Sequence, residues 1–190
     1  MMAACRDLAR MDRTIRAGTW QPLEGMQIFG KTLGIIGLGG IGAEVARIAR
    51  GLGMEVIAWN RTPRPEADVK LVALDELLAK SDVVSLNLVL NDETRGFIDA
   101  KKIATMKPGV ILINTARGAI VDEAALIEGL KSGHIRHAGL DVFHNEPLKG
   151  TEPIVQLPNV TLAAHAAFRT LEASMTLLRR ALDIVKKMNT

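Results

Sequence analysis

Short runs of apolar residues recur along the chain, and each is followed by a stretch with helical spacing. Strands are expected at 32–37, 55–60, 83–88, 110–114, 138–143 and 160–163. Helices are expected at 41–51, 74–80, 99–106, 122–132 and 171–188, with a further helix at 2–16. Runs such as VVSLNLVL and GVILIN are apolar without alternation, as strands covered on both faces must be. The alternation of strand and helix predicts an α/β fold, a doubly wound parallel sheet in three α/β/α layers.

Local signals agree with these boundaries. Asp122 can cap the helix that follows it, Glu123 suits its first turn, and Gly133 supplies a left-handed exit. Pro108-Gly109 stops another helix before a strand. In the last helix Leu171, Met175, Leu178, Leu182 and Val185 form an apolar stripe at helical spacing, which reads as an ordinary core-facing surface.

Composition narrows the class. At 190 residues the chain fits one ordinary domain and can bury roughly 70% of its unfolded surface. No apolar run reaches the ~18 residues that a membrane span needs, and the first ten residues lack the apolar region of a secretory signal. A cytoplasmic protein with no membrane partner is expected. The single Cys5 allows no internal disulfide or zinc ribbon. A net charge of +3 with 3% aromatic residues offers little to nucleic acid, so none is expected as a partner.

The chemistry begins at Gly37-Leu38-Gly39-Gly40-Ile41-Gly42, a GxGxxG motif between a strand and a helix. Gly37 permits the tight turn, Gly39 lets the backbone approach a pyrophosphate, and Gly42 packs helix on strand. The N–H groups at Gly40 and Ile41 and the helix dipole then face the phosphates. About 20 residues on, at the end of the second strand, an acid would pair with the ribose hydroxyls of NAD. Here Asn60 stands, followed by Arg61 and Thr62. Asn60 does not repel a 2'-phosphate, Arg61 can pair with one and Thr62 can donate to it. The cofactor expected is NAD(P), with NADP preferred over NAD.

Further along stand NTARGAIVDEAAL, GLDVFHNEPL and LPNVTLAAHAAF. With the glycine motif before them, these segments resemble the D-isomer-specific 2-hydroxyacid dehydrogenases. The resemblance covers almost the whole chain and implies a Rossmann-type dinucleotide-binding domain. It implies a substrate clamp at Arg117, a proton donor and acceptor at His165, and Glu146 as the partner of His165. Asp141 would hold the nicotinamide carboxamide, and Leu88, Val89, Thr94, Thr115 and Ala116 would join Arg117 and His165 around the cofactor. The partner implied is a small 2-oxo or 2-hydroxy acid, and a homodimer is expected by analogy.

These residue types suit that chemistry. A hydride delivered to a 2-oxo carbon leaves an alkoxide that needs a proton near neutral pH, which histidine supplies. A carboxylate on the other ring nitrogen fixes the tautomer and stabilises the imidazolium. Arginine grips a carboxylate with two hydrogen bonds. His134, His137 and His144 show no ordered zinc spacing, and no metal site is expected.

The sequence also departs from the family pattern. Gly40 stands where Arg is frequent, Asn87 and Val89 where His and Pro are frequent, and Ala166-Ala167 follow His165 where a Gly is frequent. The division expected is 1–29 as interdomain-type helix and lead-in, 30–165 as the dinucleotide-binding domain, and 166–190 as a helix that packs on a substrate domain. Most of that substrate domain has no counterpart here, so the chain reads as a cofactor-binding domain with weak or no turnover alone. Its terminal helices are expected to leave apolar patches. A non-catalytic nucleotide-binding or partner-binding module is the alternative.

Overall fold

The structure, a computed structural model, describes residues 1–62 and 68–188. The chain enters through two short helices, α1 (Met2–Cys5) and α2 (Leu8–Arg16), not the single helix expected over 2–16. Asp7 between them adopts a left-handed conformation, φ 51°, which Asp tolerates better than most residues. The turn carries its carboxylate to within 3.1 Å of Nδ1 of the buried His137, and this contact accounts for the break.

The remaining elements follow as β1 (Thr32–Ile36), α3 (Gly40–Gly51), β2 (Glu55–Trp59), β3 (Lys70–Leu71), α4 (Leu74–Lys80), β4 (Val83–Leu86), α5 (Ala100–Thr105), β5 (Val110–Asn114), α6 (Glu123–Lys131), β6 (Ile135–Leu140), β7 (Val160–Leu162) and α7 (Leu171–Met188). Asp122 caps α6 by accepting from Ala125 N, and Asp99 caps α5 by accepting from Lys102 N. Gly109 and Gly133 take the expected left-handed conformation, with φ 82° and 76°.

The strands form one sheet in the order β3-β2-β1-β4-β5-β6-β7, and every neighbouring pair is parallel. The sheet separates two cores. Leu33, Ile35, Val83, Ile111 and Ile113 face α1 and α3, whereas Ile36, Val84, Leu86, Val110 and Leu112 belong to the cluster that α4, α5 and α6 complete. Both faces of each central strand are therefore apolar, which is why their sequences do not alternate.

Three expectations need correction. The sixth strand runs 135–140 and not 138–143: Ile135 and His137 are buried in the ladder with β5, while Val142 and Phe143 leave it as the chain turns towards Glu146. The two-residue β3 was not expected, because so short a stretch has no period to read. The α7 stripe faces no core among the described residues: Leu171, Met175, Leu178, Leu182 and Val185 are all exposed. No described helix is long and apolar enough to cross a membrane.

Candidate functional site

In a parallel sheet every strand ends on the same edge, and the crevice opens where the strand order reverses. Here that point lies between β1, from which the chain moves to β2 and β3, and β4, from which it moves the other way. The glycine motif follows β1, and Leu88 and Val89 follow β4. Thr115, Ala116 and Arg117 follow β5, Asp141 follows β6 and His165 follows β7. Residues far apart in sequence thus meet on one edge, and a cleft of about 740 Å³ there is lined by Ile41, Val89, Arg117, Asp141 and His165 among others.

The glycine cradle is built as its spacing implies. Gly37 has φ 97°, and a β-carbon on it would meet the Asn87 carbonyl at 2.7 Å. A side chain on Gly42 would drive into the Gly37 carbonyl, so helix and turn can approach this closely only without one. At Gly39 and Gly40 an added carbon would meet nothing within 4 Å. No side chain caps the start of α3. Open space over uncapped amides fits the pyrophosphate of a dinucleotide.

The ribose side is arranged differently from the simple expectation. Asn60 does not present a free amide: its Oδ1 accepts from Leu38 N (3.2 Å) and its Nδ2 donates to the Thr62 carbonyl (2.6 Å). It ties the glycine turn to the end of β2. Arg61 pairs with Glu93 from the turn after β4, and both side chains remain mostly exposed. Thr94 braces that turn by donating to the Val89 carbonyl at 2.7 Å.

At the other end of the cleft, His165 Nδ1 lies 2.7 Å from Glu146 Oε2, with both side chains about one-third exposed. The second Glu146 oxygen accepts from Phe143 N at 2.9 Å. The hydrogen bond from His165, that N–H and the charge of Arg117 together hold the Glu146 carboxyl below the usual carboxylate range. His165 itself has φ 50°, an uncommon conformation whose cost is of order 1–3 kcal/mol. Asp141 braces it: the His165 N–H donates to the Asp141 carbonyl (2.8 Å), and the buried carboxylate accepts from Ala166 N and Ala167 N, both at 2.9 Å. Ring nitrogen Nε2 makes no hydrogen bond among the described residues, and the imidazole borders both the cleft and a second cavity of about 650 Å³ lined by Phe143, Pro147, Leu148 and Leu162 among others.

Arg117 is exposed, with Nη1 donating to the Ala116 carbonyl at 2.6 Å. Its loop is shaped by Asn114, whose Oδ1 accepts from Ala116 N (3.0 Å) and whose Nδ2 donates to the Arg117 carbonyl (2.9 Å). Asn114 and Glu93 were not among the expected site residues. An Asn ending the apolar run VILIN was a readable sign for the first, and the structure buries it; nothing local marks the second. The remaining histidines lie apart, His134 on the Ile103 carbonyl, His144 on the Val121 carbonyl and His137 on Thr161 Oγ1. The described residues include no group of three or more potential metal ligands.

Comparison with known proteins converges on one family. The family described as D-isomer specific 2-hydroxyacid dehydrogenase, NAD binding domain, matches residues 1–167. A glyoxylate reductase of Korarchaeum cryptofilum is 43% identical over 177 residues, 88% of this chain and 53% of the relative. A 4-methyl-2-oxopentanoate reductase A of Aspergillus oryzae is 45% identical over 177 residues, 90% and 54%. The crystal structure of a glyoxylate reductase from Paecilomyes thermophila superposes with a TM-score of 0.93 at 44% identity, covering 98% of this chain and 58% of that one. Structures related at lower identity hold either cofactor. One from Xanthobacter autotrophicus Py2 is complexed with NADPH (38%, TM-score 0.76, 86% of this chain, 53% of that one). A D-lactate dehydrogenase from Lactobacillus jensenii is complexed with NAD+ (30%, 0.86, 96%, 60%). The chain spans about half the length of the two curated relatives named above. With its sheet order, glycine cradle and family match together, the chain belongs to the D-isomer-specific 2-hydroxyacid dehydrogenases, as their NAD-binding domain.

Proposed function

We propose that the chain serves an oxidoreductase that moves a hydride between a nicotinamide cofactor and a small 2-oxo or 2-hydroxy acid. The observation that carries this is the His165–Glu146 pair, set 2.7 Å apart on the same sheet edge as the glycine cradle. The nicotinamide, when bound, supplies the hydride. His165 donates the proton that the reduced carbonyl oxygen takes up, from the ring nitrogen that Glu146 does not occupy. Glu146 fixes the tautomer and stabilises the imidazolium. Arg117, on the loop that Asn114 shapes, grips the substrate carboxylate. A module relieved of chemistry has no physical need for these three together.

Gly37, Gly39, Gly40, Ile41 and Gly42 hold the pyrophosphate in this reading. Leu88, Val89, Thr115, Ala116 and Asp141 surround the nicotinamide side, and Thr94 joins the cofactor site from the turn after β4. Arg61 and Thr62, at the end of β2, tilt the ribose site towards NADP. Residues 30–165 act as the dinucleotide-binding domain, 1–29 as the lead-in between domains and 166–190 as a helix for a substrate domain, whose closure excludes water and aligns the reactants. The exposed apolar face of α7 supports that assignment. A cytoplasmic homodimer is the expected setting. Substrate choice is read as lying outside this domain, a reading that near-equal similarity to reductases of two differently sized 2-oxo acids supports. The test is NADPH consumption by the full-length gene product with glyoxylate, hydroxypyruvate or pyruvate. Turnover lost on the order of a thousandfold in His165→Ala supports the proposal; no turnover on any 2-oxo acid overturns it.

A further inference from the structure

The end of β2 lacks the acid that would greet a ribose, yet an acid reaches that place from elsewhere in the chain. We infer that Glu93, through its pair with Arg61, is a specificity-determining residue that restrains the preference for NADP. The inference rests on the reading that Arg61 faces the adenosine ribose.

Its support is the construction of the two arms. On one side Asn60 bonds both to Leu38 N and to the Thr62 carbonyl, so the backbone on either side of Arg61 is fixed. On the other, Asn91 Oδ1 accepts from Glu93 N (3.1 Å) and Thr94 N (3.0 Å), while Thr94 Oγ1 accepts from Asn91 N (2.8 Å) and donates to the Val89 carbonyl. The turn therefore holds Glu93 at a set place after β4. The strand order puts β1 and its glycine turn between the two arms, so the ion pair spans the loop that would carry the pyrophosphate. Arg61 and Glu93 pair with side chains 67% and 69% exposed, and such pairs exchange partners readily because water screens them.

The chemistry follows from charge. A 2'-phosphate must displace Glu93 from Arg61 and then sit beside a carboxylate, whereas a 2'-hydroxyl displaces nothing and can donate to the carboxylate. Glu93 thus does in space what an acid at position 60 would do in sequence. Because the pair is exposed, it biases the choice and does not forbid NADPH.

The experiment is titration of NADPH and NADH into the purified chain, with adenosine 2'-monophosphate and adenosine 5'-monophosphate as reduced probes. Glu93→Gln should tighten NADPH and the 2'-monophosphate roughly three- to tenfold while NADH and the 5'-monophosphate change less than about twofold. The gain should shrink at high salt and vanish in an Arg61→Ala background. An unchanged ratio in Glu93→Gln, or a gain that persists without Arg61, overturns the inference; Glu93→Ala with an unaltered melting curve guards against a folding artefact. A parent chain that binds NADH more tightly overturns the NADP preference alone, since the role of Glu93 is read as a change in ratio. An Arg61→Ala chain with an unaltered ratio overturns both.

Discussion

Asp141 shows how one buried carboxylate organises a site from behind. The resemblance assigns it to the nicotinamide, yet both of its oxygens already accept backbone N–H groups of Ala166 and Ala167, and its carbonyl takes the His165 N–H. Each oxygen keeps a second lone pair, so the two roles are compatible. Asp141→Asn turns one acceptor into a donor aimed at an N–H, which costs about 1–3 kcal/mol. In the full-length protein kcat should fall at least about tenfold with the KM for glyoxylate little changed; a loss confined to KM would contradict the brace. The resemblance named Arg117, Glu146 and His165, and the fold brings Glu146 against His165 and sets Arg117 and His165 along one cleft. The sequence hid Asn60's ties and Glu93's partner, because those depend on which loops the sheet order brings together.

At the scale of elements, legibility followed period and punctuation. The strands of the sheet centre were readable as unbroken apolar runs, the two ends of α6 from Asp122 and Gly133, and the stop after α5 from Pro108-Gly109. Asp122→Ala should therefore destabilise the chain by about 1 kcal/mol, read as a lowered midpoint in chemical denaturation. An unchanged midpoint would mean that the α6 cap adds nothing to global stability. What stayed hidden had a tertiary cause. The break between α1 and α2 depends on Asp7 reaching His137 across the fold, and β6 begins early because His137 pairs with Ile111 in the ladder, Arg136 being skipped at a register shift, once Asp7, Thr161 and the Glu24 carbonyl meet the two side chains. The α7 stripe has the period of a core helix, but period alone does not name the surface it faces.

For the whole molecule, pH dependence has a clear sign at Asp82. Burial pushes this carboxyl up, but Lys107 at 2.6 Å, the Thr32 N–H at 3.0 Å and Lys31 together outweigh burial and hold it below its ordinary value. A depressed acid stabilises the fold above the ordinary carboxylate pKa, and the contribution is lost as pH falls through the lowered value. Asp82→Asn should thus destabilise the chain by about 1–2 kcal/mol at neutral pH, with the deficit closing below about pH 4; denaturation midpoints at the two pH values check it, and a constant deficit contradicts it. The strictly parallel order has a consequence for how such a chain can change. Each site loop starts where its strand stops, and a strand advances about 3.3 Å per residue. Deleting one residue from β5 would draw Arg117 back by about that distance, well beyond the ~1 Å misplacement that costs on the order of a hundredfold in rate. The lengths of the strands are therefore a ruler for the chemistry, and room for insertion lies only in the loops on the opposite edge and in the outer helices.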